Sequence, residues 1–291
     1  MELHGIHVPL VTPFAADGTV AVEALAGLAR DALDGGAAGL VALGTTGEPA
    51  TLSEDERRTV VAAVAEVCRA YGAPLTVGAG GNDTRRAAES LAGLAGTADA
   101  ALVAVPSFVR PGEAGALAHI AHLAERSPVP LVVYHIPYRT AQPLGAAALR
   151  ELLAMPGVAG IKYAPGALDQ DTVELLGDGP AGVMAGDDVF LSPLLAMGAS
   201  GGILASAHLA TDRFAELADA WRKGDAERAR PLGHRLARLS AAVFAEPNPT
   251  LVKAVLHALG RIPTADVRLP LLPAPADRVP PVLAALDALA P

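Results

Sequence analysis

Cysteine, lysine and uninterrupted apolar runs are all scarce in this 291-residue chain. The single cysteine, Cys68, excludes an intrachain disulfide and suits a reducing compartment. Mean hydropathy is positive, but Gly, Pro or a charge breaks every apolar stretch before the roughly 18 residues a membrane-spanning helix needs. Much of that hydropathy comes from alanine. The opening MELHGIHVPLVTPF has no basic segment followed by an apolar one, so no secretory signal is read there. These absences point to a soluble, cytoplasmic protein. Positive charge is short as well: 22 Lys and Arg against 31 Asp and Glu leave a formal charge of −9. That mean field repels phosphate and argues against nucleic acid or an anionic membrane as partner. An anionic small molecule needs a local basic group instead.

Lysine is scarce in an informative way. Only Lys162, Lys223 and Lys253 occur among the 22 basic residues, the rest being arginine. Solvated positions have been filled with Arg, so each remaining Lys raises the question of why it is there.

What is present is a series of short runs rich in Val, Ile, Leu and Ala, each followed by a loop and a helical pattern. The strand candidates are Gly5–Thr12, Gly39–Leu43, Leu75–Val77, Ala100–Val105, Leu131–Tyr134, Val158–Lys162, Gly182–Ala185 and Gly201–Leu204. They are near-continuously apolar, as parallel strands covered on both faces should be. Helical spacing marks Ala21–Asp34, Ser53–Tyr71, Thr84–Leu94, Gly112–Arg126 and Thr211–Arg222. Ser53 with Glu56 predicts a capping box, and Gly72 a helix stop. Eight β-then-α units favour a closed (β/α)8 TIM barrel over an open sheet. A doubly wound sheet usually carries a glycine-rich phosphate loop after its first strand, and none is there. After Arg222 the strand signal ends, and Asp225–Phe244, Thr250–Leu259 and Pro280–Leu289 are expected as helices. The expected division is therefore a catalytic barrel over 1–223 and a C-terminal helical extension over 224–291.

A parallel barrel builds its active site at the C-terminal strand ends. Lys162 closes the apolar run Val158–Ile161, and two readings fit that position. One is a lysine snorkelling to solvent. The other is an amine in the barrel mouth, where desolvation lowers its pKa and leaves a nucleophile able to form an imine with a ketone. Lysine scarcity favours the second. Gly44–Glu48 offers hydroxyls and backbone N–H groups that could hold a carboxylate, or is a plain turn. Tyr134 is a packing aromatic or a proton carrier, and Arg139 a solvated charge or an anion contact. His119 and His122 share a helix face with Glu125 nearby, but no third metal ligand is evident. Asp187-Asp188 reads most simply as a helix cap, and Cys68 as buried and inert.

Taken together, Val11-Thr12-Pro13-Phe14, Gly44-Thr45-Thr46-Gly47-Glu48, Pro106 through Pro111, Tyr134-His135-Ile136-Pro137 with Arg139-Thr140, Gly160-Ile161-Lys162, Gly186-Asp187-Asp188 and Glu246-Pro247-Asn248-Pro249 resemble the dihydrodipicolinate synthase/N-acetylneuraminate lyase family. The resemblance runs from about Gly5 to the last helix. It implies a homo-oligomer, commonly a dimer of dimers, with no metal or organic cofactor. It further implies that Lys162 forms the imine with pyruvate, that Thr45 and Thr46 hold the pyruvate carboxylate, and that Thr46 and Tyr134 move protons. Gly186 and Ile203 would line the pocket through their backbones. Arg139 would bind the carboxylate of the second substrate, aspartate semialdehyde, as in the synthase branch. Alternatives are a catabolic aldolase for a 2-keto-3-deoxy sugar acid or a 4-hydroxy-2-oxo acid, and a keto-acid-binding protein with degraded catalysis.

The chain departs from that pattern in three respects. Phe108 stands where the family has a tyrosine reaching in from a neighbouring subunit. If that segment is extended, Ser107 faces the opposite side and cannot replace it. Tyr163 and His135 replace a usual Glu and Asn. The pocket through which lysine regulates the synthase branch is poorly matched at Pro49, Glu54, Arg57, Arg86 and Ser107, although Ala50 and Asn82 are retained.

Overall fold

Eight parallel strands close into a barrel in chain order, β1 pairing with both β2 and β8. The computed structural model describes residues 3–177, 179 and 181–290, so positions 1 and 291, the outer bounds of the two expected regions, lie outside them. The barrel half runs β1 (Gly5–Pro9), α1 (Val22–Asp34), β2 (Gly39–Ala42), α2 (Glu54–Tyr71), β3 (Leu75–Ala79), α3 (Thr84–Ala92), β4 (Ala100–Ala104), α4 (Gly112–Arg126), β5 (Leu131–His135), α5 (Pro137–Thr140), α6 (Ala146–Ala154), β6 (Val158–Tyr163), α7 (Gln170–Gly177), β7 (Val183–Ala185), α8 (Leu191–Ala196), β8 (Gly201–Ile203) and α9 (Thr211–Arg222). Then come α10 (Ala226–Val243), α11 (Thr250–Ala258) and α12 (Val279–Asp287), with α10 packed on α8, α9 and α12. Among the described residues no helix is long and apolar enough to cross a membrane.

Strand alternation sorts side chains into two apolar layers. Val41, Leu102, Val132, Tyr134, Met184 and Ile203 meet in the barrel lumen. Neighbours such as Leu40, Val103, Val133, Ile161 and Val183 belong to the larger layer between strands and helices. Both faces of each strand are therefore buried, which is why the strands read as continuous rather than alternating runs. The α2 ends follow the expected chemistry: Ser53 and Glu56 form a reciprocal capping box, and Gly72 closes the helix at φ 64°.

Two expectations are corrected. The first strand stops at Pro9 rather than Thr12, because the Val11 N–H donates to the ring of His208 instead of to a strand carbonyl. The segment after β4 is not extended: Phe108 and Arg110 have φ of 66° and 48°. It is tied down by Asn82, whose side chain accepts from the Ser107 N–H and donates to the Ser107 carbonyl, both at 2.9 Å.

The helical tail is fastened to the barrel by a buried ion pair. Lys253 of α11 is completely buried and its Nζ donates to Glu48 Oε1 at 2.8 Å. Glu48 Oε2 accepts from the Arg268 N–H at 2.9 Å. Phe14 lies under both cations, 4.0 Å from Lys253 Nζ and 4.4 Å from the Arg268 guanidinium carbon. Removing one partner of a buried pair strands the other charge, at a cost of about 3–5 kcal/mol. Lys253→Ala should therefore lower stability to urea by that amount. The double variant Lys253→Met/Glu48→Gln should lose less than the single one, and equal losses would show that no uncompensated charge is involved.

Candidate active site

The ends of β2, β5, β6, β7 and β8 and the link before α11 enclose a cavity of about 290 Å³. Its walls include every site residue expected from the sequence: Thr45, Thr46, Tyr134, Arg139, Lys162, Gly186 and Ile203. They come from the ends of five separate strands.

Lys162 lies opposite Tyr134 on β5 and Met184 on β7 in strand register. It shares the lumen face with both, so its amine rises up the barrel axis instead of into the helical layer. It is 6% exposed, with Nζ 4.4 Å from the centre of the Tyr134 ring. Lys253 has a carboxylate at 2.8 Å; Lys162 has no such partner among the described residues. Burial is the main reason its pKa falls to about 8; Asp188 and Asp187 oppose the fall and Arg139 adds to it. At pH 7 roughly one molecule in ten then carries the free amine, against about one in 2,500 for an ordinary lysine. Gly186 makes room for this side chain, because a Cβ there would meet Lys162 Cγ at 3.0 Å and Cε at 3.2 Å.

The loop after β2 forms two tight turns, Thr45–Gly47 and Pro49–Thr51, joined at Glu48 with φ 54°. Thr12 Oγ1 donates to the Gly47 carbonyl at 2.8 Å and braces the first turn. Helix α2 begins only at Glu54, with Ser53 capping it. Any anion at Thr45 and Thr46 would therefore meet this loop's own amides and hydroxyls, not the α2 terminus. Thr46 is buried and Thr45 exposed. Burial pushes the Tyr134 phenol well above its ordinary pKa, which keeps it a neutral O–H able to donate and accept. Arg139, on α5, is exposed at the rim with its Nε donating to Tyr138 Oη at 2.9 Å.

The second departure leaves the lumen untouched. Tyr163 and His135 point the other way from Lys162 and Tyr134, and their rings stack 5.7 Å apart at 15°. The Tyr163 hydroxyl pairs with Thr172 Oγ1 on α7 at 3.0 Å. The two rings pack as one unit in the outer layer. Phe108, the first departure, is 90% exposed at a loop tip.

The cap expected at Asp187-Asp188 is corrected. Neither side chain caps the following turn. Asp187 Oδ2 accepts from the Gly166 N–H at 2.7 Å, and Asp188 Oδ2 from the Ser206 N–H at 2.6 Å. Both line the cavity, and burial raises both pKa values, that of Asp188 to about 6. Asn248 also lines it and donates through Nδ2 to Thr46 Oγ1 at 3.0 Å. Its only signal in the sequence was the Glu-Pro-Asn-Pro segment, far from any strand end. His119 is buried, with Nδ1 paired to Thr84 Oγ1 at 2.8 Å. Cys68 is buried too, and desolvation pushes its thiol up to about 12.

The family model for the dihydrodipicolinate synthetase family matches residues 2–289. The chain belongs to that family. As a member of the dihydrodipicolinate synthetase family it is an enzyme of the lyase/aldolase class. A 4-hydroxy-tetrahydrodipicolinate synthase of Neisseria meningitidis serogroup B is 36% identical over 98% of each chain. Clostridium acetobutylicum 4-hydroxy-tetrahydrodipicolinate synthase 2 is 33% identical over 94% of this chain and 96% of its own. Among solved structures, dihydrodipicolinate synthase of Thermotoga maritima superposes with a TM-score of 0.93 at 30% identity, covering 99% of both chains. The chloride-inhibited Acinetobacter baumannii enzyme, complexed with pyruvate, gives 0.91 at 33% identity over 98% of both.

The position of Lys162 on the pH scale is directly measurable. The rate at which a keto acid forms a reducible adduct should rise about tenfold per pH unit below 8 and level off above it, following the neutral amine. Rapid-quench mass spectrometry with cyanoborohydride reads this rate. A rise continuing to pH 10 would show that the amine is solvated.

Proposed function

We propose that this protein is a Schiff-base lyase that joins pyruvate to an aldehyde through Lys162, acting as a 4-hydroxy-tetrahydrodipicolinate synthase on aspartate semialdehyde. The observation that carries the reading is the buried Lys162 amine, lowered to about 8 and lacking a carboxylate partner, beside a buried tyrosine and two threonines.

The free amine attacks the keto carbon, and loss of water leaves a protonated imine. That cation acidifies the adjacent methyl group, and removal of one proton gives an enamine. The enamine carbon adds to the aldehyde carbon, whose oxygen takes up a proton. The amino group of the bound semialdehyde then attacks the imine carbon, closing the ring and releasing Lys162. Each step needs a donor or acceptor within hydrogen-bond reach. In this reading Tyr134 and Thr46 move those protons, while Thr45 and Thr46 bind the pyruvate carboxylate. The backbones of Gly186 and Ile203 line the pocket, and Arg139 swings from Tyr138 to the second carboxylate. The chemistry needs neither metal nor organic cofactor. The working form is a homo-oligomer in which the exposed Phe108–Val109 tip meets a neighbouring subunit.

Phe108 favours a second reading, in which the substrate is a hydroxylated keto acid cleaved by the same imine and carrying its own hydroxyl into the relay. One set of measurements tests both. Borohydride with pyruvate should label Lys162 alone, and Lys162→Ala should abolish labelling. Label on Lys223 or Lys253 overturns the mechanism. Acid–base assistance is worth about 10²–10⁴-fold, so Phe108→Tyr should raise turnover of pyruvate with aspartate semialdehyde if that is the native reaction. A neutral or harmful effect, with faster cleavage of a 4-hydroxy-2-oxo acid or 2-keto-3-deoxy sugar acid by the wild type, would establish the second reading.

A further inference from the structure

Asn248 lies in the link between α10 and α11, yet it reaches across the sequence to Thr46, with Nδ2 donating to Oγ1 at 3.0 Å. Its Oδ1 is buried and has no hydrogen-bond partner among the described residues. The amide is thus used at one end only. The link itself is held firmly. The Thr250 hydroxyl donates to the Pro247 carbonyl at 2.7 Å. One turn into α11, Lys253 pairs with Glu48, two residues beyond Thr46. One segment of the tail therefore grips the β2 loop at both Thr46 and Glu48.

That contact has a polarity. A hydroxyl has one proton to give and two lone pairs. Once an amide N–H occupies one lone pair, the hydroxyl proton cannot point toward Asn248. We propose that Asn248 is a positioning residue for proton transfer: by donating to Thr46 Oγ1, it turns the hydroxyl proton of Thr46 away from the 246–249 link and into the cavity above Lys162. The proposal rests on the reading of Thr46 as a proton carrier in imine chemistry, and supplies what that reading lacks, a reason for the hydroxyl to face one way. It also gives the helical tail a part in the reaction beyond packing.

The discriminating change reverses the polarity and keeps the shape. In Asn248→Asp a carboxylate can only accept, so the Thr46 proton would turn toward it and leave the relay. Asn248→Ala merely frees the hydroxyl, which water can then orient. The readout is deuterium exchange at the pyruvate methyl in D₂O, followed by NMR. It is divided by the amount of Lys162 adduct that borohydride traps at equilibrium in the same protein.

In Asn248→Asp, trapped adduct should stay at the wild-type level while exchange per adduct falls about 10²-fold at pH 8. Exchange per adduct should climb again as the pH is lowered toward the carboxyl pKa, because a protonated carboxyl can donate to Thr46; the wild type should show no such climb. Asn248→Ala should fall less. Turnover should drop by a larger factor than the KM for pyruvate rises. Wild-type exchange per adduct in Asn248→Asp would overturn the proposal. So would a loss of adduct in step with exchange, which would make Asn248 a structural support only. Absence of any adduct in the wild-type protein would instead overturn the imine reading itself, and the proposal with it.

Discussion

A buried amine with no carboxylate against it is the constraint around which the rest of this barrel is arranged. The protein contains two deeply buried lysines and treats them in opposite ways. Lys253 is paired with Glu48 and stacked on Phe14, so its charge is retained and used to join the tail to the barrel. Lys162 has the Tyr134 ring below it and only more distant carboxylates. Lowering its pKa from 10.5 to about 8 means the protonated amine costs roughly 3 kcal/mol more in the fold than in water. The sign is unfavourable wherever that amine is protonated: the cost is present in full below about pH 8 and fades as the pH rises toward 10.5. A fold keeps such a group only if the surrounding structure is stable enough to hold it, and here the two apolar layers supply that stability.

Legibility in the sequence follows the range of the interactions. Its place at the end of an apolar run and the scarcity of lysine were enough to single out Lys162, because both can be read without knowing any long-range contact. The barrel was legible for the same reason, since each β-then-α unit carries its own pattern. Alternation also explains, with the structure in hand, why Tyr163 differs from the usual residue without consequence for the lumen: the neighbour of a lumen-facing residue must face the helices. Its partner His135 obeys the same rule, and the two rings meet because β5 and β6 are adjacent.

What was not legible depends on contacts between distant segments. Asp187 and Asp188 look like helix caps when only neighbouring residues are considered. One oxygen of each in fact accepts from the N–H of Gly166 and of Ser206, 21 and 18 positions away. Asn248 meets Thr46 across 202 positions, and no periodicity in the chain announces such a meeting. The left-handed conformation of Phe108 was hidden differently. It is a non-glycine residue in a region that usually favours glycine, held there by Asn82 gripping the neighbouring Ser107 and by its own N–H donating to the Thr140 carbonyl.

The charge balance of the cavity bears on how the proposed substrates would be divided among its walls. Lys162 and Arg139 contribute two positive charges at most, and Asp187 and Asp188 two negative ones, so the empty cavity is close to neutral. A keto-acid carboxylate adds a negative charge near Lys162. A charge of that sign favours the protonated amine and so works against nucleophilic attack. A binding site made from another cation would offset this, but it would use up Arg139. Hydroxyls and backbone amides of the Thr45–Gly47 turn carry no net charge, yet they stabilise an anion by direct hydrogen bonds. Placing the first carboxylate on that turn leaves Arg139 free, at the rim and joined only to Tyr138, for a second anion arriving later. In the proposed reaction the order of addition would then follow from electrostatics: the acid bound by neutral donors would sit deepest and react with the amine, and the acid bound by the arginine would close over it.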